Sequence, residues 1–386
     1  MNWFNENHIK IMRTIKDPFS KNIKGYVLPH AGTLYTGNIL SHTLQFIPNN
    51  YFNKITIFYY PANNSENIII NQNEKYYHEY YVLMKTLNYV CKNIWNYDNK
   101  NINGVNIRDY IKLNKTIPTI DKNTLLIISA DFSHFLPLND AIKKENCASN
   151  ALMYRKFDNN LECLNVVDTK KTFEIMYNII PNNYNLHWIG RTRSPGLKGV
   201  GYLSFFIKKQ QNIENLKMPN GIFITAYDAN MQQRECLGEW FNKNKKYNIT
   251  IENNLIKKVV YLASTSSRLT GGLNIEIPIT NYTITYLYKT NNKKFIRGYH
   301  GIKYKAFFLP NVFLENTYNN GIWIDQLDKF WKKGNKFNIK YTLNKLNHKA
   351  NNLNNNIDKK FTRKNNKKNM KPNYTLYYCD IVHKNL

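Results

Sequence analysis

The sequence predicts two units in tandem: an α/β layer structure with a mainly parallel sheet over residues 1–210, then an α+β unit over 211–386. Three observations carry this reading. Strand and helix signals alternate through the first half, the pattern of a sheet covered by helices. The stretch 208–220 is polar, contains Pro219 and has no apolar periodicity, which marks a boundary. Beyond it, strands and helices mix without regular alternation. A chain of 386 residues also has room for two or three domains at roughly 150 residues each.

In chain order, residues 25–28 form a short apolar strand, and Pro29-His30-Ala31-Gly32 is the loop after it. Ile39, Leu40, Leu44 and Ile47 recur at helical spacing. Residues 55–60 are β-branched and aromatic, bounded by Asn53 and Pro61, and predict a strand. Tyr81, Met84, Leu87, Cys91 and Trp95 predict a helix over 78–95. The continuous apolar run 125–129 has the character of a strand covered on both faces. Helices are expected at 139–157 and 170–180, with a closing strand at 202–207. In the second unit, strands are expected at 222–227, 283–288 and 304–309, and helices at 252–263 and 321–331. The Asn/Lys-rich tract 347–370 lacks apolar periodicity and reads as a disordered insertion. The apolar run 374–382 then reads as a last strand returning to the second core.

Composition narrows the function classes. With 42% hydrophobic and 14% aromatic residues, wholesale disorder is excluded. No run approaches the ~20 apolar residues of a membrane span, and the first ten residues lack an apolar signal core. A soluble protein of the cytoplasm, with the nucleus open and no membrane partner, is the expectation. The net charge of +28 favours contact with nucleic acid or other polyanions. The competing reading is a solvated lysine surface, because the lysines are evenly spread and Asn, Lys, Ile and Tyr are all overused. The 5 cysteines are odd in number and form no C-x-x-C pair, so reduced thiols are expected rather than a disulfide scaffold or a cysteine-rich zinc site.

Chemistry concentrates after two strands. His30 follows the first, and Asp131 and His134 follow another, in Ser129-Ala130-Asp131-Phe132-Ser133-His134-Phe135. In open α/β sheets, ligands bind outside the carboxyl ends of strands. Two imidazoles and a carboxylate meeting there would suit a divalent metal, with iron, zinc and copper all open. A histidine after a strand is equally a hydrogen-bonded loop residue, and an aspartate there often caps the next helix.

Pro29-His30-Ala31-Gly32-Thr33-Leu34-Tyr35-Thr36-Gly37 resembles the P-H-A-G-x-x-Y-(S/T)-G segment of the Memo family. Asp131-Phe132-Ser133-His134-Phe135 resembles that family's D-(F/L)-(S/C)-H-(Y/W) signature, and Gly199-Val200-Gly201-Tyr202 its V-G-Y strand. The resemblance covers about residues 20–210. It implies a fold like the catalytic subunit of class III extradiol dioxygenases and a metal-binding cleft to which His30, Asp131 and His134 correspond. Where the family has G-P-S-H-H, this chain has Pro61-Ala62-Asn63-Asn64. The E-H-S-(I/L)-E segment has no counterpart, and Arg191-Thr192-Arg193-Ser194 lies where some members have a cysteine. Asparagine is a poor metal ligand and a nearby arginine repels a cation, so the site reads as degenerate.

The second half resembles the AMMECR-one family. Asn220-Gly221-Ile222-Phe223-Ile224-Thr225 and Gln233-Arg234-Glu235-Cys236-Leu237-Gly238 are similar to its G-x-F-V-T strand and L-R-G-C-I-G hallmark. Gly298-Tyr299-His300-Gly301-Ile302 and Phe308-Leu309-Pro310-Asn311-Val312 are similar to its later segments. Coverage is about residues 215–386, with Glu235 replacing the first hallmark glycine. Modules of the two families occur fused in this order. On an extended segment Arg234 and Cys236 face one side, where a cation would lower the thiol pKa. The alternative is a buried cysteine beside a structural ion-pair partner.

The expectation is thus a metal-binding, redox-type protein with a degenerate site that recognises a small molecule or a protein. His30, Asp131 and His134 are its ligands, His134 and Cys236 its candidate catalytic residues, and Arg234, Cys236 and Gly238 the hallmark of the second unit. The alternative is a non-enzymatic basic scaffold that associates with nucleic acid.

Overall fold

Strands made only of apolar residues must be covered on both faces, and those of the first half lie at the centre of a sheet. A computed structural model of the protein describes residues 3–15, 22–48, 52–62, 68–71, 74–97, 101–118, 120–157, 161–196, 198–209, 218–265, 276–291, 294–304, 306–318, 322–327, 339–355 and 374–386. Its first half contains β1 (Ile23–Leu28), α1 (Thr33–Leu44), β2 (Lys54–Tyr59), a hairpin of β3 (Ile68–Asn71) and β4 (Glu74–Tyr77), and α2 (His78–Val90). There follow β5 (Asn101–Asn106), α3 (Ile107–Lys112), β6 (Thr124–Ser129), α4 (Leu138–Met153), α5 (Lys170–Ile179), β7 (Tyr184–Arg193) and β8 (Gly201–Lys209). The sheet runs β5-β2-β6-β1-β8-β7. Its first four strands are parallel, and β8 and β7 add antiparallel. Every residue of β6 is buried, as its continuous apolar run requires.

The second half contains β9 (Gly221–Asp228), β10 (Gln233–Trp240), α6 (Ile249–Thr265), β11 (Ile279–Lys289), β12 (His300–Lys303) and β13 (Phe307–Phe308). After α7 (Pro310–Asn316) come the short pair β14 (Thr317–Tyr318) and β15 (Ile322–Trp323), α8 (Ile339–Asn355) and β16 (Thr375–Asn385). A second, antiparallel sheet has the order β10-β9-β11-β16-β12-β13. Its last strand in sequence therefore lies inside the sheet, with Tyr377–Asn385 paired to β11 and Thr375–Tyr378 to β12.

Several expectations need correcting. The helix over 78–95 ends at Val90 and passes into a single π-helical turn, Cys91–Trp95, which lets the Trp95 indole N–H donate to the Leu44 carbonyl at 2.9 Å. Of the strand expected over 304–309, only Phe307–Phe308 is strand, paired antiparallel with His300–Lys303 before it. The helix over 321–331 begins instead with β15 and one 3-10 turn, Ile324–Gln326, while 328–331 lie outside the described residues. The Asn/Lys-rich tract is helical up to Asn355, because Leu343, Leu346 and Ala350 share one buried face of α8, the two leucines in a cluster with Ile302, Phe308, Phe313 and Trp323. Its remainder, 356–370, lies outside the described residues, as do 210–217 of the boundary stretch. Cys147 and Cys163 are joined in a disulfide with Cα atoms 5.9 Å apart, against the expectation of reduced thiols. Neither lies in a C-x-x-C pattern, so only the packing of α4 on the turn Glu162–Val166 brings them together. Among the described residues, no helix is long and apolar enough to cross a membrane.

The two sheets meet along a buried seam. Glu145 on α4 is wholly buried. The Arg191 guanidinium of β7 donates to its Oε2 from Nε at 2.9 Å and from Nη2 at 2.6 Å. The Tyr318 hydroxyl of β14 donates to the same oxygen at 2.7 Å. Arg191 Nη1 reaches the carbonyls of Leu314 and Glu315, both at 3.2 Å. The other carboxylate oxygen accepts from Ser133, and Arg193 lies 4.0 Å away. These arginines are thus held by an acid and by carbonyls, and do not stand as loose cations in a cleft. A Cβ on Gly201 would lie 1.8 Å from Glu145 Oε1, so glycine is required where β8 begins. Around this network, Phe46 packs on Tyr299 with ring centroids 4.7 Å apart, and Lys208 pairs with Asp380 at 3.4 Å.

Two outcomes are expected. Arg191→Met leaves the buried Glu145 without its hydrogen-bonded counter-charge, with only Arg193 at 4.0 Å, and urea unfolding should show a loss of about 3–5 kcal/mol. Cys147→Ser should cost about 2–3 kcal/mol without reductant and nothing in dithiothreitol, since the stabilisation comes from closing the loop. Peptide mapping after alkylation of the unreduced protein should recover the Cys147–Cys163 pair.

Candidate metal centre

β1 and β6 are parallel neighbours, so their carboxyl ends open on the same edge of the sheet. Leu28 is opposite Ser129, and that register sets the loop holding His30 against the loop holding Asp131. The backbone N–H of His30 donates to Asp131 Oδ1 at 2.9 Å. The backbone N–H of Asp131 donates to Asp168 Oδ1 at 3.1 Å. Asp168 thereby turns its second oxygen to within 3.2 Å of His30 Nε2, while Asp131 Oδ2 lies 3.7 Å from the same nitrogen. One ligand atom from each of His30, Asp131 and Asp168 lies within 4.8 Å of the others. His30 and Asp131 are buried, and Asp168 is the side open to solvent.

The imidazole is oriented from behind. His30 Nδ1 is 2.9 Å from Ser129 Oγ, and that hydroxyl donates its only proton to the Glu79 carbonyl at 2.7 Å. Ser129 must therefore accept from Nδ1–H, which leaves Nε2 facing the carboxylates. His78, the first residue of α2, places its ring edge-on to His30 with centroids 5.2 Å apart. Its Nδ1 lies 3.0 Å from Glu79 Oε2, and the buried Glu79 also accepts the Ala62 N–H at 2.8 Å.

Charge is unbalanced here. Burial works to lower the His30 pKa, but Asp131 and Asp168, with Glu79 further out, outweigh it and hold the ring at about 10. Burial pushes the Asp131 carboxyl up against the pull of His30, and Asp168 adds to the rise. For Glu79, burial is overcome by His78 and His30, which hold its carboxyl below the ordinary value. Two carboxylates around one imidazolium leave a negative excess, a setting that favours a further cation.

Of the expected ligands, His30 and Asp131 come together, but His134 does not join them. Along the loop Phe132 and Ser133 point inward, so His134 turns out and is exposed beside Phe135, with ring centroids 6.3 Å apart. Asp168 takes the third place. Asn63 and Asn64 lie outside the described residues. Asp168 carries no motif and sits in an irregular segment, so nothing marked it in the sequence. His78-Glu79 was visible as an imidazole–carboxylate pair at the start of an expected helix.

The second unit's hallmark behaves as structure. Arg234 pairs with Asp228 at 3.5 Å rather than with the thiol. Burial pushes the Cys236 thiol up, against a hydrogen bond from Thr225 at 3.3 Å, so it is a protonated thiol at neutral pH and not an activated nucleophile. Gly238 is opposite Phe223, whose ring covers it so closely that a Cβ would meet it at 2.3 Å. No protein-family model matches this chain, and no curated protein matches it either.

The His30 pKa is raised by folding, so its contribution to stability is complete below its unfolded value of about 6.5 and is lost as pH rises through about 10. In a metal-chelating buffer, wild-type protein should lose up to a few kcal/mol between pH 6.5 and 10 that His30→Gln does not lose. Urea unfolding at a series of pH values measures the difference.

Proposed function

We propose that this protein binds one divalent metal ion through His30, Asp131 and Asp168, and that it is a Memo-like metal module fused to an AMMECR-one-like module. The observation that carries the reading is the convergence of one imidazole and two carboxylates at the carboxyl ends of adjacent parallel strands. The donors are nitrogen and oxygen with no thiolate, which suits zinc, ferrous iron or manganese and offers copper(I) no soft ligand. The fit extends outward: Ser129 fixes the tautomer of His30, and backbone N–H groups hold Asp131 and Asp168. A bound ion supplies Lewis acidity on the side where Asp168 meets solvent. The buried His78–Glu79 pair stands beside the His30 ring, where it adds an imidazole and a carboxylate to the surroundings of the ion. Recognition of a small anionic or carbonyl-bearing ligand at that ion is the role we assign, and the basic surface is secondary to it.

Metal analysis of untagged protein purified without chelator tests this. About one ion per chain is expected after loading with ferrous iron, manganese or zinc. His30→Ala with Asp168→Asn should weaken binding by more than the 10–100-fold typical of an outer-shell change, whereas His134→Ala should leave it unaltered. Because the ion displaces the His30 proton, affinity should rise about tenfold per pH unit through neutrality. Equal metal content in wild type and the double variant would sink the proposal.

A further inference from the structure

A cavity lies toward the other end of α1. The segment Lys10–Arg13, the C-terminal half of α1 and the stretch Lys294–Arg297 before β12 enclose a cavity of about 310 Å³. Four of its lining residues are cationic: Lys10, Arg13, Lys294 and Arg297. None of the described lining residues is acidic. Asn38 and Gln45 add neutral hydrogen-bonding groups to the wall. Among the described residues, Lys10, Arg13 and Lys294 form no ion pair. Four like charges drawn to one hollow repel one another, and a chain of net charge +28 has many other places to put lysine.

The geometry is built and not merely a lysine-rich surface. Arg297 is 8% exposed, so its charge acts through protein rather than through water. Its position is fixed because the His42 Nε2–H donates to the Arg297 carbonyl at 3.2 Å and to the Ile189 carbonyl at 3.1 Å. Burial first, and then the charge of Arg297, drive the His42 pKa down to about 3, so that ring stays neutral beside the cavity. The C-terminus of α1 opposes an anion with a partial charge of about −0.5, which four full positive charges outweigh. Guanidinium groups grip phosphate through paired N–H donors, and ammonium groups add point charge.

We infer that this cavity is a binding site for a small phosphorylated molecule, separate from the proposed metal centre and built from both halves of the chain. The volume is at the lower end of small-ligand pockets, which fits a compact polyanion rather than a nucleic-acid track.

Calorimetric titration of the full chain with pyrophosphate, and with inorganic phosphate, at constant ionic strength tests the inference. Saturable one-to-one binding is expected, with pyrophosphate tighter than phosphate. Arg13→Glu with Lys294→Glu should weaken it at least about tenfold, and Lys10→Glu alone should weaken it measurably. The control Lys143→Glu with Lys144→Glu, which reverses charge at a different groove, should leave it unchanged. All of these side chains except Arg297 lie at the surface, and melting without ligand verifies that the variants fold. Absence of saturation, equal weakening by both charge-reversal pairs, or displacement of pyrophosphate by an unphosphorylated single-stranded oligonucleotide would each overturn the inference.

Discussion

A carboxylate sealed from water has to be met by positive charge and by hydrogen bonds on every lone pair, and Glu145 is such a group. Its partners come from both halves of the chain: Ser133 and Arg191 from the first, Tyr318 from the second. Arg191 in turn needs the carbonyls of Leu314 and Glu315 to complete its donors. Neither half closes this network alone. The glycine at the start of β8 is also required by this acid, since a Cβ there would strike it. A buried ion pair is not in itself strongly stabilising, but it admits few alternative arrangements, and docking inherits that selectivity.

The proposed metal centre, two residues back along the loop that carries Ser133, shows the same economy. Its ligands come from three separate segments, yet each is tied to the next by a backbone N–H. His30 holds Asp131, and Asp131 holds Asp168. The pocket is therefore assembled before any ion arrives, with an imidazolium standing between the carboxylates in the ion-free protein. A divalent ion in the proposed centre would compete with the proton for His30 Nε2 and would not require the loops to be rebuilt.

Much of this was readable from residue order. The uninterrupted apolar strands announced the parallel centre of the first sheet, and two of the proposed ligands followed those strands directly. Asp168 was not readable, because its place depends on a backbone contact with a loop 37 residues away and not on local pattern. β7 escaped notice for a related reason: Arg191 and Arg193 read as cations near the metal cleft, although each is buried against Glu145 or its neighbours. The disulfide was hidden by the same logic, since its 16-residue separation matches no motif. Helix α8 runs into the Asn/Lys-rich tract that starts at 347, and its buried face begins before that tract with Leu343 and Leu346 and continues within it only at Ala350. In each case long-range packing overrode what nearby residues advertise.

The place of β16 has a consequence for biosynthesis. It is hydrogen-bonded between β11 and β12, yet it is made well after both, with α7 and α8 intervening. A ribosome adding about 5–20 residues per second leaves a gap in that sheet for several seconds. During that interval two unzipped edges are available to any extended peptide, including the same segment of a neighbouring nascent chain. Crowded polysomes would favour strand exchange between copies, so yield from rapid overexpression should depend on chaperone supply more than on the stability of the finished molecule.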